Sequence, residues 1–327
     1  MISRRKLLIA ISAGTLIAPR APSAQPAGRP YRIGWLSTAD LLKEPHYVAF
    51  VQRLNELGLV EGRNLSIERV HAGNRLEQLP AMAAELANRK CDVFFAGGAE
   101  ATLAALVNAT RDTPVVFVAV DFDPVATGDI ASLARPGGRI TGITALQSAL
   151  PAKRVELLKE LLPSATKVAV LTNEQTSAQL ALTQGTARRL GLSLHVVDLK
   201  RPPFDYETGF SEAVRANAQA MLVLGSSLWV PARQKIPELA QKHRLATVFH
   251  QAHWVVTGGL MSYGFDFPGM WRRGAEMVAS VLRGAKAGDI SVEQPTTYEL
   301  AINLKTARTL GIKIPQSILV RADRVIE

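Results

Sequence analysis

Residues 92–120 read DVFFAGGAEATLAALVNATRDTPVVFVAV, and they hold one complete structural unit. DVFFA at 92–96 is a short apolar run rich in Val and Phe, which predicts a buried strand. Gly97-Gly98 breaks it. From Glu100 to Thr110 the apolar residues recur at helical spacing. PVVFVAV at 114–120 is then a second buried strand. Strand, helix and strand in about 30 residues make a βαβ unit, which implies parallel strands and a right-handed crossover.

Working outward, the same alternation continues. YRIGWLS (31–37) and LSIERVH (65–71) read as strands, and residues 140–144 as a shorter one. Helices are predicted at 45–57, where Val48, Phe50, Val51, Leu54 and Leu57 recur, and at 76–88. The series then restarts. A helix at 153–162 could bridge two lobes. It precedes strands at 167–171, 192–199, 220–224 and 246–250, with helices at 177–190, 210–217 and 232–243 between them. Two βαβ series end to end, dividing near 145–152, predict two α/β lobes with parallel sheets. In such sheets a ligand binds outside the carboxyl ends of the strands. GGLMSYG (258–264), a helix at 270–282 and TYELAINL (297–304) follow the second series. They suggest that the chain returns to its first lobe. The expected division is 31–148 with a return segment at about 264–290, and 149–263 with a C-terminal segment at about 291–327.

The ends and the composition narrow the function. Residues 1–6 (MISRRK) are cationic, 7–18 are uncharged and mostly apolar, and 19–27 are rich in Pro and small residues. That is the layout of an export signal over residues 1–27. Its apolar run is shorter than the roughly 20 residues a bilayer span needs. SRRKLL at 3–8 resembles a twin-arginine signal, with an ordinary signal as the alternative. No Cys lies near the cleavage region, so no lipid anchor is expected. Removing residues 1–24 takes four cations and no acid, so the formal charge of +10 falls to about +6. The remaining Lys and Arg are scattered, which argues against a nucleic-acid partner. The lone Cys91 reads as a small buried side chain.

Candidate ligand residues follow the predicted strands. They are Ser37 and Thr38; Gly98, Ala99, Glu100 and Ala101; and Asp121 and Asp123 in the first series. In the second they are Asn173; Ser226, Ser227 and Trp229; His250; and Tyr263. Glu100 either complements its helix N-terminus or repels an anionic ligand. Asp123 before Pro124 is either a contact or a turn starter, and Asn173 either a contact or a helix cap. Each aromatic is either a cleft wall or core. His250 and His253 have the spacing of a metal pair, but no further ligand completes the set. No G-x-S-x-G and no phosphate-binding G-x-x-x-x-G-K is present, and Gly97-Gly98 is too short for a dinucleotide fingerprint. No cofactor, no metal and no catalysis are expected.

Several stretches, in order, resemble the ABC-transporter substrate-binding family whose members take up tryptophan, tyrosine or phenylalanine. They are GLVEGRNLSI (58–67), LARPGGRITG (133–142), KRVELLKELL (153–162), GGLMSYG (258–264), EQPTTYELAINLKTARTLG (293–311) and LVRADRVIE (319–327). The resemblance spans about residues 31–327. It implies a type I periplasmic-binding-protein fold of two Rossmann-like lobes joined by hinge crossovers. It also implies a periplasmic monomer that delivers a small ligand to a permease and ATPase complex in the inner membrane. The family pattern supports 97–101 as a carboxylate cradle, and Asp123 and Tyr263 as family positions. Relatives carry a small residue or Pro at position 100 and an acid near 250 and 253. This chain has Glu100, His250 and His253 there, so an aromatic amino acid is not assured. An exported ligand sensor that signals to a membrane receptor is the alternative.

Overall fold

The computed structural model describes residues 29–327, apart from Asn74, Asp121 and residues 147–149, and only the backbone of Ser227. The expected export signal and Asp121 lie outside the described residues. The first sheet is built from β1 (Tyr31–Ser37), α1 (Pro45–Glu56), β2 (Leu65–His71), α2 (Leu79–Asn88), β3 (Val93–Gly98), α3 (Glu100–Ala109), β4 (Val115–Val120) and β5 (Ile140–Ala145). Its strands run parallel in the order β2-β1-β3-β4-β5. β3 and β4 are buried along nearly their whole length, which is why they carry unbroken apolar runs and not an alternating pattern. α1, α2 and a later helix each begin with Pro in the first two positions, where the missing N–H costs nothing.

The second sheet repeats that order. Its elements are α4 (Leu150–Leu161), β6 (Lys167–Thr172), α5 (Ser177–Arg189), β7 (Ser193–Asp198), α6 (Tyr206–Arg215), β8 (Ala220–Val223), α7 (Lys235–Lys242), β9 (Ala246–Phe249), α8 (Ala252–Val256) and β10 (Met261–Phe265). Strands β7-β6-β8-β9-β10 are parallel. The chain then leaves as α9 (Phe267–Leu282), which packs on α1, β3, β4 and β5 of the first lobe. Residues beyond it add to the edge of the first sheet. Thr144 N–H donates to Glu293 O (2.9 Å), and Glu293 N–H donates to Gly142 O (2.9 Å). The chain returns to the second sheet as β11 (Tyr298–Asn303), then α10 (Leu304–Leu310), α11 (Gln316–Leu319) and β12 (Arg324–Ile326).

Both lobes have the expected parallel sheets, and the second is extended by an antiparallel strand. β11 pairs antiparallel with β10, and Tyr263 faces Leu300 across the ladder. The chain comes back from the first lobe by a short crossing and enters at the opposite end of the edge strand. A parallel entry would need a longer crossover.

α9 is the first lobe's keystone. Trp271 is 1% exposed and meets Trp35 (centroids 5.3 Å), Phe95 (5.5 Å) and His46 (4.4 Å). Trp35 in turn stacks on Phe95 at 4.6 Å and meets Tyr47 and Phe50 edge-on at 5.1 Å. Such aromatic pairs add about 0.5–1.5 kcal/mol each beyond the area they bury. Gly97 makes room for this packing, because a Cβ there would sit 3.0 Å from the Trp271 ring.

Candidate functional site

The carboxyl ends of both sheets face one another across a cavity of about 400 Å³. From the first lobe it takes Thr38 after β1, residues 97–101 where β3 passes into α3, and Val120 at the end of β4. From the second it takes Gln175, Gln179, Gly225, Ser226, His250 and Gln251, which follow β6, β8 and β9. This is the placement that open α/β sheets give their ligands.

α3 opens into the cavity without a side-chain cap, since its N-cap is Ala99. The first N–H groups of a helix have no partner within it, and the helix dipole adds positive potential there. Glu100 stands in that first turn and is exposed at the cavity edge. The opposite wall is rigid. Ser226 Oγ accepts from Asn173 Nδ2 (2.9 Å) and from Leu228 N–H (3.1 Å), and donates to Gln175 Oε1 (2.7 Å). Gln179 clamps Gly225 in both directions, at 2.8 and 2.9 Å.

The rest of the wall is aromatic. Trp254 and Trp271 are each 1% exposed, line the cavity, and have an indole N–H that is buried without a hydrogen-bond partner. His250 Nδ1 and His253 Nε2 are in the same state. A buried donor left unmade costs about 1–3 kcal/mol. Burial holds the imidazoles neutral. It pushes His46 down to about 3, with His253 adding to the shift, and His253 down to about 4, with Arg233 adding to it. His250 lies well below its ordinary value, through burial and then through Arg154 and His253, against a hydrogen bond to the Val223 backbone.

Of the residues expected here, Thr38, Gly98, Ala99, Glu100, Ala101, Ser226 and His250 line the cavity. Asn173 stands behind it, holding Ser226; its Oδ1 accepts from Gln175 N–H, and it does not cap α5. Four others point elsewhere. Ser37 is buried and donates to Ala39 O at 2.8 Å. Asp123 is exposed and accepts from Val125 and Ala126 N–H, so it starts a turn. Trp229 is fully buried, because a 3₁₀ turn at Ser227–Ala232 winds it inward, where its indole donates to Leu224 O (2.9 Å). Tyr263 stacks on Tyr298 at 6.0 Å, and its carbonyl accepts from Arg154 Nε (2.8 Å). Ser227 begins that 3₁₀ turn, in backbone only.

His46, Trp254, Phe267 and Trp271 line the cavity without having been expected there. Trp254 lies one residue beyond the noted His253, so its position carried a signal. Phe267 and Trp271 arrive on α9 from a distant part of the sequence and carried none. Among the described residues no group of three or more His, Cys, Asp or Glu is placed to hold a metal ion, and no helix is long and apolar enough to cross a membrane.

A family model described as ABC transporter substrate binding protein matches residues 44–326. A tyrosine-binding protein of Clostridioides difficile is 27% identical over 274 residues, which cover 81% of this chain and 76% of that protein. Among solved structures, a conserved domain protein of Vibrio cholerae superposes with a TM-score of 0.79 at 25% identity, covering 91% of this chain and all of that one. A domain from Streptococcus pneumoniae in complex with L-Trp gives 0.76 at 24% identity, covering 90% and 100%. The fold is the type I periplasmic-binding-protein fold.

Proposed function

From the premise that this chain belongs to the ABC transporter substrate binding protein family, we propose that it is the extracytoplasmic ligand-capturing component of an importer. It is exported to the periplasm by the signal in residues 1–27, acts as a monomer without catalysis, and hands its ligand to the permease and ATPase complex. The ligand is an amino acid or a similarly small carboxylate. One observation carries this reading: an uncapped helix N-terminus and two buried tryptophans with unpartnered indole N–H groups line a cavity between two lobes. The carboxylate sits on the N–H groups of residues 99–101 and the planar part lies among Trp254, Trp271 and Phe267. Closure of the lobes completes the second wall.

Thermal unfolding of the mature protein against a panel of amino acids and small carboxylic acids tests the proposal. A ligand that binds only the folded protein, at a hundred times its Kd, adds about 2.7 kcal/mol of stability. A panel without a single shift sinks the carboxylate reading.

Trp271→Phe keeps most of the aromatic packing and removes the indole donor. With the panel member that shifts the protein most, affinity should fall about tenfold, the share of one hydrogen bond of about 1.4 kcal/mol. Titration calorimetry reads this, with the unfolding temperature of the empty protein as control. An unchanged affinity would mean that this N–H does not meet the ligand.

A further inference from the structure

The 3₁₀ turn at Ser227–Ala232 is anchored firmly in the second lobe. Ser226, just before it, is fixed by Asn173 and Gln175, and Trp229 is sunk in that lobe's core with its indole on Leu224 O. Two further residues of the same segment meet the other lobe. Val230 packs against the apolar cluster that holds Trp35, Phe95 and Trp271. Arg233, which closes the turn, pairs with Glu44, the residue before α1 of the first lobe. Both charged residues line a cavity of about 370 Å³ between the lobes, outside the cavity that α3 opens into. Their burial is unequal: the Glu44 side chain is 1% exposed and that of Arg233 27%. Among the described residues Arg233 is the only ion-pair partner of Glu44, and the second carboxylate oxygen, Oε2, is buried without a hydrogen-bond partner. Without Arg233 the whole carboxylate would be bare, and removing one partner of a buried ion pair is strongly unfavourable. That cost falls on the closed arrangement, because lobes that part return Glu44 to water.

We infer that this turn is a clasp, a rigid prong of the second lobe whose Val230 and Arg233 grip the first lobe and hold the cleft shut before a ligand arrives. The inference rests on the proposed capture of an amino acid and deepens it. A protein whose binding-competent form is only partly populated binds with an affinity reduced by that fraction. Arg233 and Glu44 are therefore positioning residues, which set affinity through closure and not by touching the ligand.

Three variants of the mature protein test this: Arg233→Met, Glu44→Met and the two together. Small-angle scattering of the ligand-free protein reads closure, and calorimetric titration with L-tryptophan and L-tyrosine reads affinity. Arg233→Met strands the carboxylate, so the radius of gyration should rise and affinity should fall about a hundredfold. Glu44→Met leaves a guanidinium that already reaches solvent, and its loss should stay below about tenfold. In the double variant two apolar side chains meet where the charges met. It should regain the native radius and come within about tenfold of native affinity, because a buried ion pair can be replaced by apolar packing at little cost. The unfolding temperature of all three, without ligand, should hardly move, since opening relieves the bare charge before unfolding does. An Arg233→Met protein with native radius and affinity, a double variant no better than that single one, or a variant that unfolds instead of opening would each overturn the clasp. If neither amino acid binds the native protein at millimolar concentration, the amino-acid reading falls, and the scattering alone decides the clasp.

Discussion

Replacing Gly264 by Ala should lower the unfolding temperature by about 10 °C or more. A Cβ on residue 264 would lie 1.9 Å from the carbonyl oxygen of His250 and 3.0 Å from its carbon. No rotamer relieves a clash between a Cβ and backbone, so β10 must move away from the turn that carries His250 into the cleft. Overpacking of this kind typically costs about 1–3 kcal/mol and more where backbone is struck; about 3 kcal/mol corresponds to roughly 6–12 °C in a chain of a few hundred residues. Binding should weaken in parallel, since His250 lines the cavity and its carbonyl is the atom displaced. The buried Arg154, which donates to the neighbouring Tyr263 carbonyl at 2.8 Å, is disturbed by the same shift. Thermal and urea unfolding of the single variant measure the effect. A midpoint within a degree of the native value would show that the strand yields there freely.

Acid should also unfold the protein through its interlobe histidines. His46 and His253 are held at about 3 and about 4, and His250 is held well below its ordinary value, each first by burial. In the unfolded chain all three titrate near 6.5. Above pH 6.5 neither state carries the extra proton, and the stability is full. As pH falls below 6.5 the unfolded chain takes up protons that the folded one refuses, so stability is lost progressively toward the folded values. One pH unit across a fully shifted group is about 1.4 kcal/mol, so His46 and His253 together remove about 2–3 kcal/mol per unit between pH 6 and 4.5, and His250 acts in the same direction. The unfolding temperature, followed from pH 7.5 to 4.5, should be level above 6.5 and steep below. His46→Gln should make the steep limb visibly shallower. A native profile level down to pH 5 would refute the assignment.

Much of this fold was readable in the chain, and the reason is physical. β1 and β2 were expected at the residues where they lie, and β3 to β9 within a few residues, because buried parallel strands must be apolar throughout and the helices between them must keep a 3.6-residue stripe. Direction is not written in such a run. TYELAINL reads the same parallel or antiparallel, and only the short return from the first lobe decides it. The cleft was legible where it is made of loops that follow strands, as at Thr38, residues 98–101, Ser226 and His250. It was misread at Trp229, where position after a strand was right but the 3₁₀ turn rotated the ring into the core. It was missed at His46, Phe267 and Trp271, which reach the cleft from helices. On α1 the buried side holds His46, Tyr47, Phe50 and Leu54, while Val48 is 51% exposed, so apolarity alone chose the wrong edge of that stripe.

The position of α9 in the chain has a consequence for synthesis. A ribosome delivers the strands of the first sheet by residue 145, but Trp271, which covers Trp35 and Phe95, follows only after β6 to β10 have emerged. The edge contributed by Glu293 comes later still. A nascent chain therefore carries an uncovered aromatic face through about two-fifths of its elongation, and the half made first waits for its cover until five strands of the other half are out. Chains broken off anywhere between residues 146 and 266 would all share that bare surface, which makes it a common handle for chaperones and a common seed for aggregation.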